Sequence, residues 1–148
     1  MIGSITVYGS DLKPIAVEKN IGKVIDELPI LFIISALTKG ISKFKNIGDL
    51  KNKESNRLSE SRKILVQAGI KCNITKNAMT IYGNNKLDTH NKSIVSNTKG
   101  DHRICMSATI FALAAGIKTK IKNFETVNTS FPGFTTLIRN LGGKIVIK

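Results

Sequence analysis

Ile5-Thr6-Val7-Tyr8-Gly9 returns as Met79-Thr80-Ile81-Tyr82-Gly83, and much of the chain repeats with it. Asp26-Glu27, which opens the apolar run Leu28 to Leu37, returns as Asp101-His102-Arg103 ahead of Ile104 to Ala115. Phe44-Lys45-Asn46-Ile47 returns as Ile121-Lys122-Asn123-Phe124, and Ala68-Gly69 as Leu141-Gly142. The offset stays between 73 and 77 residues, so the copies differ only by short insertions. Residues needed for packing should match between copies, and they largely do. The charged residues at the helix entrances differ, which is where a shared asymmetric site is expected.

Each copy reads as strand, helix, strand, helix, strand, strand. In the first, Asp26 or a neighbour is expected to cap a helix running to about Thr38, with Pro29 in its first turn and Gly40 at its end. Apolar residues surround this helix on nearly every side, and Ile104 to Ala115 has the same character, so both should be buried all round. The helix carrying Leu58, Ile64, Leu65 and Ala68 has a one-sided stripe, with Arg57, Glu60 and Lys63 elsewhere, so it should be amphipathic and lie nearer the surface. Its counterpart starts near Pro132 and runs through Phe134, Leu137, Ile138 and Leu141. Strands follow at Ile70 to Ile74 and Met79 to Tyr82 around a turn at Thr75-Lys76-Asn77. The polar stretch Asn84 to Asn91 reads as a loop.

The expected fold is α/β: repeated βαβαββ units with parallel buried helices and outer mixed sheets. Residues 1–148 read as one partial domain, in which 1–10 close a preceding unit, 11–83 form one unit and 84–148 a second. The chain opens on the last strand of a unit, Ile5 to Tyr8, whose hairpin partner should precede it. It closes at Lys144 to Lys148, the counterpart of Ile70 to Ile74. This phase points to a missing upstream part, and two stacked units are few for a continuous core.

At 148 residues the chain can bury roughly 70% of its unfolded surface. No apolar run reaches the ~18 residues of a membrane span, and Met1-Ile2-Gly3-Ser4 does not read as a secretory leader. Cys72 and Cys105 fall in strand and helix interiors without metal-ligand spacing, and read as reduced core thiols. The expected compartment is the cytoplasm. The net charge of +13 invites a polyanion partner. Nineteen of the 23 basic residues are lysines spread along the chain, however, and there is no Trp and no basic–aromatic interleaving to stack bases. An anionic small molecule suits the charge equally well.

Three clusters stand at helix entrances: Asp26-Glu27-Leu28-Pro29, Lys53-Glu54-Ser55-Asn56-Arg57 and Asp101-His102-Arg103. Each is readable as a solvated cap. Yet Lys and Arg are locally unfavourable at the positive end of a helix unless an anion binds there. Only four arginines occur, and Arg57 and Arg103 occupy two of these entrances, while Arg62 and Arg139 read as surface residues. With parallel helices, the entrances at Asp26, Lys53, Asp101 and Thr129 would meet at one end. Lys53, Arg57 and Arg103 would then surround an anion, with Asp26 and Glu54 beside it for acid–base work. No metal or cofactor is expected: His90 and His102 are far apart in sequence, and there is no Gly-rich phosphate loop.

These motifs, with Gly100 and Met106 flanking the third and Thr129-Ser130-Phe131-Pro132-Gly133-Phe134 after it, resemble in order and spacing the C-terminal part of 5-enolpyruvylshikimate-3-phosphate synthase. The resemblance covers essentially the whole chain but only about a third of that family's length. It implies transfer of the enolpyruvyl group of phosphoenolpyruvate to the 5-hydroxyl of shikimate 3-phosphate, with release of phosphate. It also implies roles: Asp26 as the base on the hydroxyl, Lys53 beside that hydroxyl and phosphoenolpyruvate, and Glu54 as the acid at the methylene carbon. Arg57 and Arg103 would hold phosphoenolpyruvate, with His102 as a neighbour. Asn56 departs from the family's frequent Asp, and Thr129 stands where some members carry a Lys. Alone the chain is expected to be inactive or nearly so, because half of the closing cleft is missing, and the expected partner is an N-terminal complementing portion or a second copy of the chain. The alternatives are a non-catalytic relic or assembly module of the same fold, and a fragment of a UDP-N-acetylglucosamine enolpyruvyl transferase. Lys53-Glu54-Ser55-Asn56-Arg57 favours the shikimate branch.

Overall fold

The computed structural model describes residues 3–19 and 21–147. Strand β1 (Ala16–Val17) is followed by two 3-10 turns, Ile21–Lys23 and Ile25–Glu27, which lead directly into α1 (Leu28–Ala36). Then come β2 (Gly40–Lys45), the 3-10 turn Gly48–Asn52, α2 (Arg57–Gln67), β3 (Lys71–Ile74), β4 (Ala78–Gly83) and β5 (Ser93–Asn97). Helix α3 (His102–Ala115), β6 (Lys118–Lys122), the 3-10 turn Phe124–Thr129 and α4 (Phe134–Asn140) complete the order. No helix among the described residues is long and apolar enough to cross a membrane.

The strands form two sheets, one ordered β1-β2-β4-β3 and one of β5 and β6. In the first, β1 runs parallel to β2, and the other pairs are antiparallel. β5 and β6 are parallel. The internal repeat is visible in their register: Lys43 and Phe44 sit opposite Ala16 and Val17, as Lys120 and Ile121 sit opposite Val95 and Ser96. Both strands exit through an asparagine in the left-handed region, Asn46 at φ 60° and Asn123 at φ 56°. α2 and α4 also stop alike. Gly69 and Gly142, at φ 86° and 89°, let the next amides fold back onto Leu65 and Ile138.

α1 is buried by Leu28, Phe32, Ile33 and Ala36, and the Phe32 ring meets Phe44 of β2 edge-on at 4.8 Å. Ile34 is exposed, so α1 is not enclosed all round, and α3 likewise exposes Leu113 near its end. α1, α2 and α3 pack on one another, with the first sheet against α1 and α2, in one apolar core. A smaller cluster of Cys105, Val127, Phe134 and Ile138 joins α3 to α4. Both cysteines are free and buried, and burial pushes both thiols up, Cys105 to about 12.

Several expectations require correction. Asp26 does not cap α1: the N-cap is Glu27, without a side-chain bond, and the preceding 3-10 turn leaves the Asp26 carboxylate free for other partners. α1 stops at Ala36, and Gly40 opens β2 instead. Although off the apolar stripe of α2, Arg57 and Glu60 are buried, because each meets an opposite charge. Neither Ile5 to Tyr8 nor Lys144 to Ile147 lies in a sheet, since no neighbouring strand offers them hydrogen bonds; Lys148 lies outside the described residues.

Candidate functional site at three helix starts

The charged motifs converge because α1, α2 and α3 bring their first turns together. At the centre is Arg57, the first residue of α2 and only 1% exposed. Its guanidinium distributes its donors over three carboxylates: Nε to Asp101 Oδ2 at 2.8 Å, Nη1 to Asp26 Oδ1 at 2.6 Å, and Nη2 to Glu54. A planar fork with fixed donors suits this task, and lysine could not reproduce it.

Asp101 is fully buried, yet both of its oxygens are satisfied. Oδ1 caps α3, accepting from Arg103 N at 3.0 Å and Ile104 N at 3.4 Å. Oδ2 accepts from Arg57 and from Ser55 Oγ at 2.9 Å. Burial alone would raise its pKa, but the Arg57 hydrogen bond and charge, with Ser55 and the Ile104 amide, hold it below the usual carboxylate range. Burial likewise works against the charge on Arg57, but Asp101, with Glu54 and Asp26, together more than offset it, so the guanidinium pKa is raised. The pair ties the start of α2 to the start of α3.

Asp26 faces outward from this knot. Oδ1 also meets Lys53 Nζ at 3.0 Å, and the Lys53 hydrogen bond is the main reason its carboxyl is held low. Its backbone carbonyl accepts from Arg103 Nη1 at 2.9 Å, and the same nitrogen reaches Glu27 at 3.1 Å. Lys53 and Arg103 are about a third exposed, whereas Asp26, Glu54 and Glu27 are more open. His102 is half-buried at the first residue of α3. Thr129 is set apart, donating to Thr126 O, while Thr126 donates to Gly100 O at 2.7 Å and so ties its turn to the α3 entrance.

Asp26, Lys53, Glu54, Arg57 and Arg103, separated by up to 77 residues in sequence, thus form one connected network. The Asn56 departure keeps its local function, since its side chain caps α2 by accepting from Ser59 N at 3.0 Å. Reasoning from sequence placed Asp101 in a motif but missed its part as the buried partner of Arg57. It also missed Ser55 as a donor to Asp101 and Glu27 as the partner of Arg103. An Asp before an apolar run signals a cap; nothing local shows that its second oxygen holds a guanidinium from another helix.

The family model for EPSP synthase (3-phosphoshikimate 1-carboxyvinyltransferase) matches residues 2–138. The chain belongs to the EPSP synthase family. It is 36% identical over 145 residues to the 3-phosphoshikimate 1-carboxyvinyltransferase of Campylobacter concisus, covering 97% of this chain and 32% of that protein. It is 33% identical over 146 residues to that of Caldicellulosiruptor saccharolyticus, covering 98% and 33%. The EPSP synthase structure from Acinetobacter baumannii superposes with a TM-score of 0.71 at 33% identity, over 87% of this chain and 30% of that one. The chain therefore spans about a third of the length of these EPSP synthase relatives.

Proposed function

We propose that this chain contributes the Asp26–Lys53–Glu54–Arg57–Arg103 part of an enolpyruvyl-transfer site. The reaction moves the enolpyruvyl group of phosphoenolpyruvate to the 5-hydroxyl of shikimate 3-phosphate and releases phosphate, and it needs the portion of the family's length that this chain does not span. The observation that carries the reading is Arg57 bridging three carboxylates from three separate helix starts. That arrangement fixes an acid, a base and two more exposed cations around one point.

The residues divide the work. Asp26 takes the hydroxyl proton as that oxygen bonds to the central carbon of phosphoenolpyruvate, and Glu54 protonates the methylene to a methyl. Glu54 then takes a methyl proton back as the carbon–oxygen bond to phosphate breaks, which restores the methylene and releases phosphate. Lys53 and Arg103 meet the phosphate and carboxylate of phosphoenolpyruvate. Arg57 orients Asp26 and Glu54 and adds positive charge behind them, and His102 borders the anion. Asp26 is a weak base while Lys53 holds its pKa low. An arriving anion that draws Lys53 away restores basicity to Asp26 when substrate is present.

The test mixes this chain with the remaining two thirds of a relative such as that of Campylobacter concisus and identifies the product by mass spectrometry. Product in the mixture, with rates reduced about 10²–10⁴-fold by Asp26→Asn and by Glu54→Gln, supports the reading. A mixture that associates but yields no product refutes it and leaves an assembly module of the same fold. Product formed only with a nucleotide sugar as acceptor assigns the site to the sister reaction.

A further inference from the structure

Glu60 follows Arg57 by three residues on α2, is only 5% exposed, and stands outside the network at the helix starts. Its Oε1 meets two lysines. Lys63 Nζ, at 3.0 Å, comes from the same helix, whereas Lys99 Nζ, at 2.9 Å, comes from the loop between β5 and α3. Burial alone would raise the Glu60 pKa, but the hydrogen bonds from Lys99 and then Lys63 hold it below the usual carboxylate range.

The backbone holds Lys99 firmly. It lies in the left-handed region at φ 53°, uncommon for a residue with a side chain, and Gly100 follows at φ 84°. Its amide donates to Asn97 Oδ1 at 3.0 Å, which closes the turn. Thr98 is fully buried and donates to Asn123 O at 3.1 Å, while Gly100 O accepts from Thr126. The loop is therefore fixed to the end of β6 and the turn after it. The next residue is Asp101, the N-cap of α3 and the buried partner of Arg57.

Among the described residues, two ion pairs thus join α2 to the α3 entrance: Arg57 with Asp101, and Glu60 with Lys99. On α2 their anchors stand three residues apart, about 4.5 Å along the axis. One pair alone fixes a distance and leaves a pivot; a second, displaced along the helix, removes the rotation. That rotation matters for the proposed reaction. Arg57 at the start of α2 orients Asp26 and Glu54, while Arg103 at the start of α3 meets phosphoenolpyruvate.

We infer that Glu60 and Lys99 are positioning residues whose pair sets the angle of α2 against the α3 entrance, aligning the acid and base of one unit with the anion-holding Arg103 of the other. The kinetic consequence rests on the proposed enolpyruvyl transfer; the alignment rests on geometry alone. Lys63 meets the same carboxylate but belongs to α2, so it does not join the two units. A cavity of about 230 Å³ beside the pair, lined by Ile64, Ser96 and Lys122, leaves room for the two side chains to be exchanged.

The test has two readouts. In the ¹⁵N-labelled chain without ligand, the Nε–H resonances of Arg57 and Arg103 should shift in Lys99→Gln and in Glu60→Gln. They should stay in place in Lys63→Gln and return in the double variant Glu60→Lys, Lys99→Glu. In the mixture with the remaining two thirds of a relative, Lys99→Gln and Glu60→Gln should each lower kcat about tenfold, because a misplacement under about 1 Å already costs rate. KM for phosphoenolpyruvate should change less than about twofold, since Lys53 and Arg103 are still present. Lys63→Gln should leave kcat unchanged, and the exchanged pair should recover most of it. Circular dichroism checks that each variant is folded. Arginine signals unmoved in Lys99→Gln, or moved equally in Lys63→Gln, overturn the inference. So does full kcat in Lys99→Gln, or a folded exchanged pair that recovers neither readout. A wild-type mixture without product refutes the proposed reaction instead, and the resonances then decide the alignment.

Discussion

Replacing Asp101 by asparagine tests the centre of the network with little change of shape. Asparagine caps helices about as well as aspartate, so the α3 cap survives and the main loss is the charge facing Arg57. Removing one partner of a buried ion pair costs about 3–5 kcal/mol. Here Arg57 keeps Asp26 and Glu54, both partly exposed, so the lower end applies, about 3 kcal/mol. For a chain of this size each kcal/mol lowers the melting temperature by about 2–4 °C, giving a drop of roughly 6–12 °C. Urea unfolding followed by far-UV circular dichroism measures the free energy, and Glu18→Gln, which breaks an exposed pair with Lys45, serves as a control expected to cost less than about 1 kcal/mol. The double variant Arg57→Met, Asp101→Asn should recover part of the loss, because it keeps the α3 cap and leaves no buried charge between α2 and α3. An Asp101→Asn loss no larger than that of Glu18→Gln would refute the claim that this pair holds the helix starts together.

Other outcomes follow from the same structure. Asp26, Asp101 and Glu60 all have lowered carboxyl pKa values in the folded chain. The unfolded chain therefore binds more protons as pH falls through about 4, and their stabilisation is full above that range and lost below it. Melting temperatures measured from pH 7 to pH 2.5 should fall steeply in acid, and less steeply in Glu60→Gln, which no longer has a carboxylate for Lys63 and Lys99. Gly83→Ala should cost about 1–3 kcal/mol in the urea assay, since its Cβ collides with two backbone carbonyls, while Gly22→Ala, in open space, should cost less than about 1 kcal/mol. Cys72 and Cys105, buried and with raised pKa values, should react with a thiol reagent at pH 8 only after unfolding.

The repeat made most of the fold legible, because packing residues recur with it: Phe44 and Ile121 in the parallel strands, Gly69 and Gly142 after the helices. The ends were not, because Ile5 to Tyr8 and Lys144 to Ile147 have strand sequences but a strand exists only with a hydrogen-bonding neighbour. Within the site, the charged motifs and their convergence could be read from helix starts and spacing. The burial of Arg57 could not, since an arginine beside a glutamate in a first turn looks solvated until Asp101 arrives from the next unit. The α1 cap was legible only as Asp26 or a neighbour for a related reason, and it is the neighbour Glu27 that takes the position. The 3-10 turn before α1 passes capping to Glu27 and frees Asp26 to reach α2, a detail of backbone path that residue type does not encode.

The central claim is that the three helix starts receive the anionic substrate, and the four arginines provide a direct measurement. The chain, labelled with ¹⁵N and mixed with the unlabelled remaining portion of a relative, is titrated with phosphoenolpyruvate and shikimate 3-phosphate while the arginine side-chain resonances are recorded. The account predicts saturable shifts at Arg57 and Arg103 with Arg62 and Arg139 unmoved, and loss of the Arg57 shift in Arg103→Met. Unchanged Arg57 and Arg103 signals in a mixture that binds both compounds, or shifts confined to Arg62 and Arg139, would contradict it.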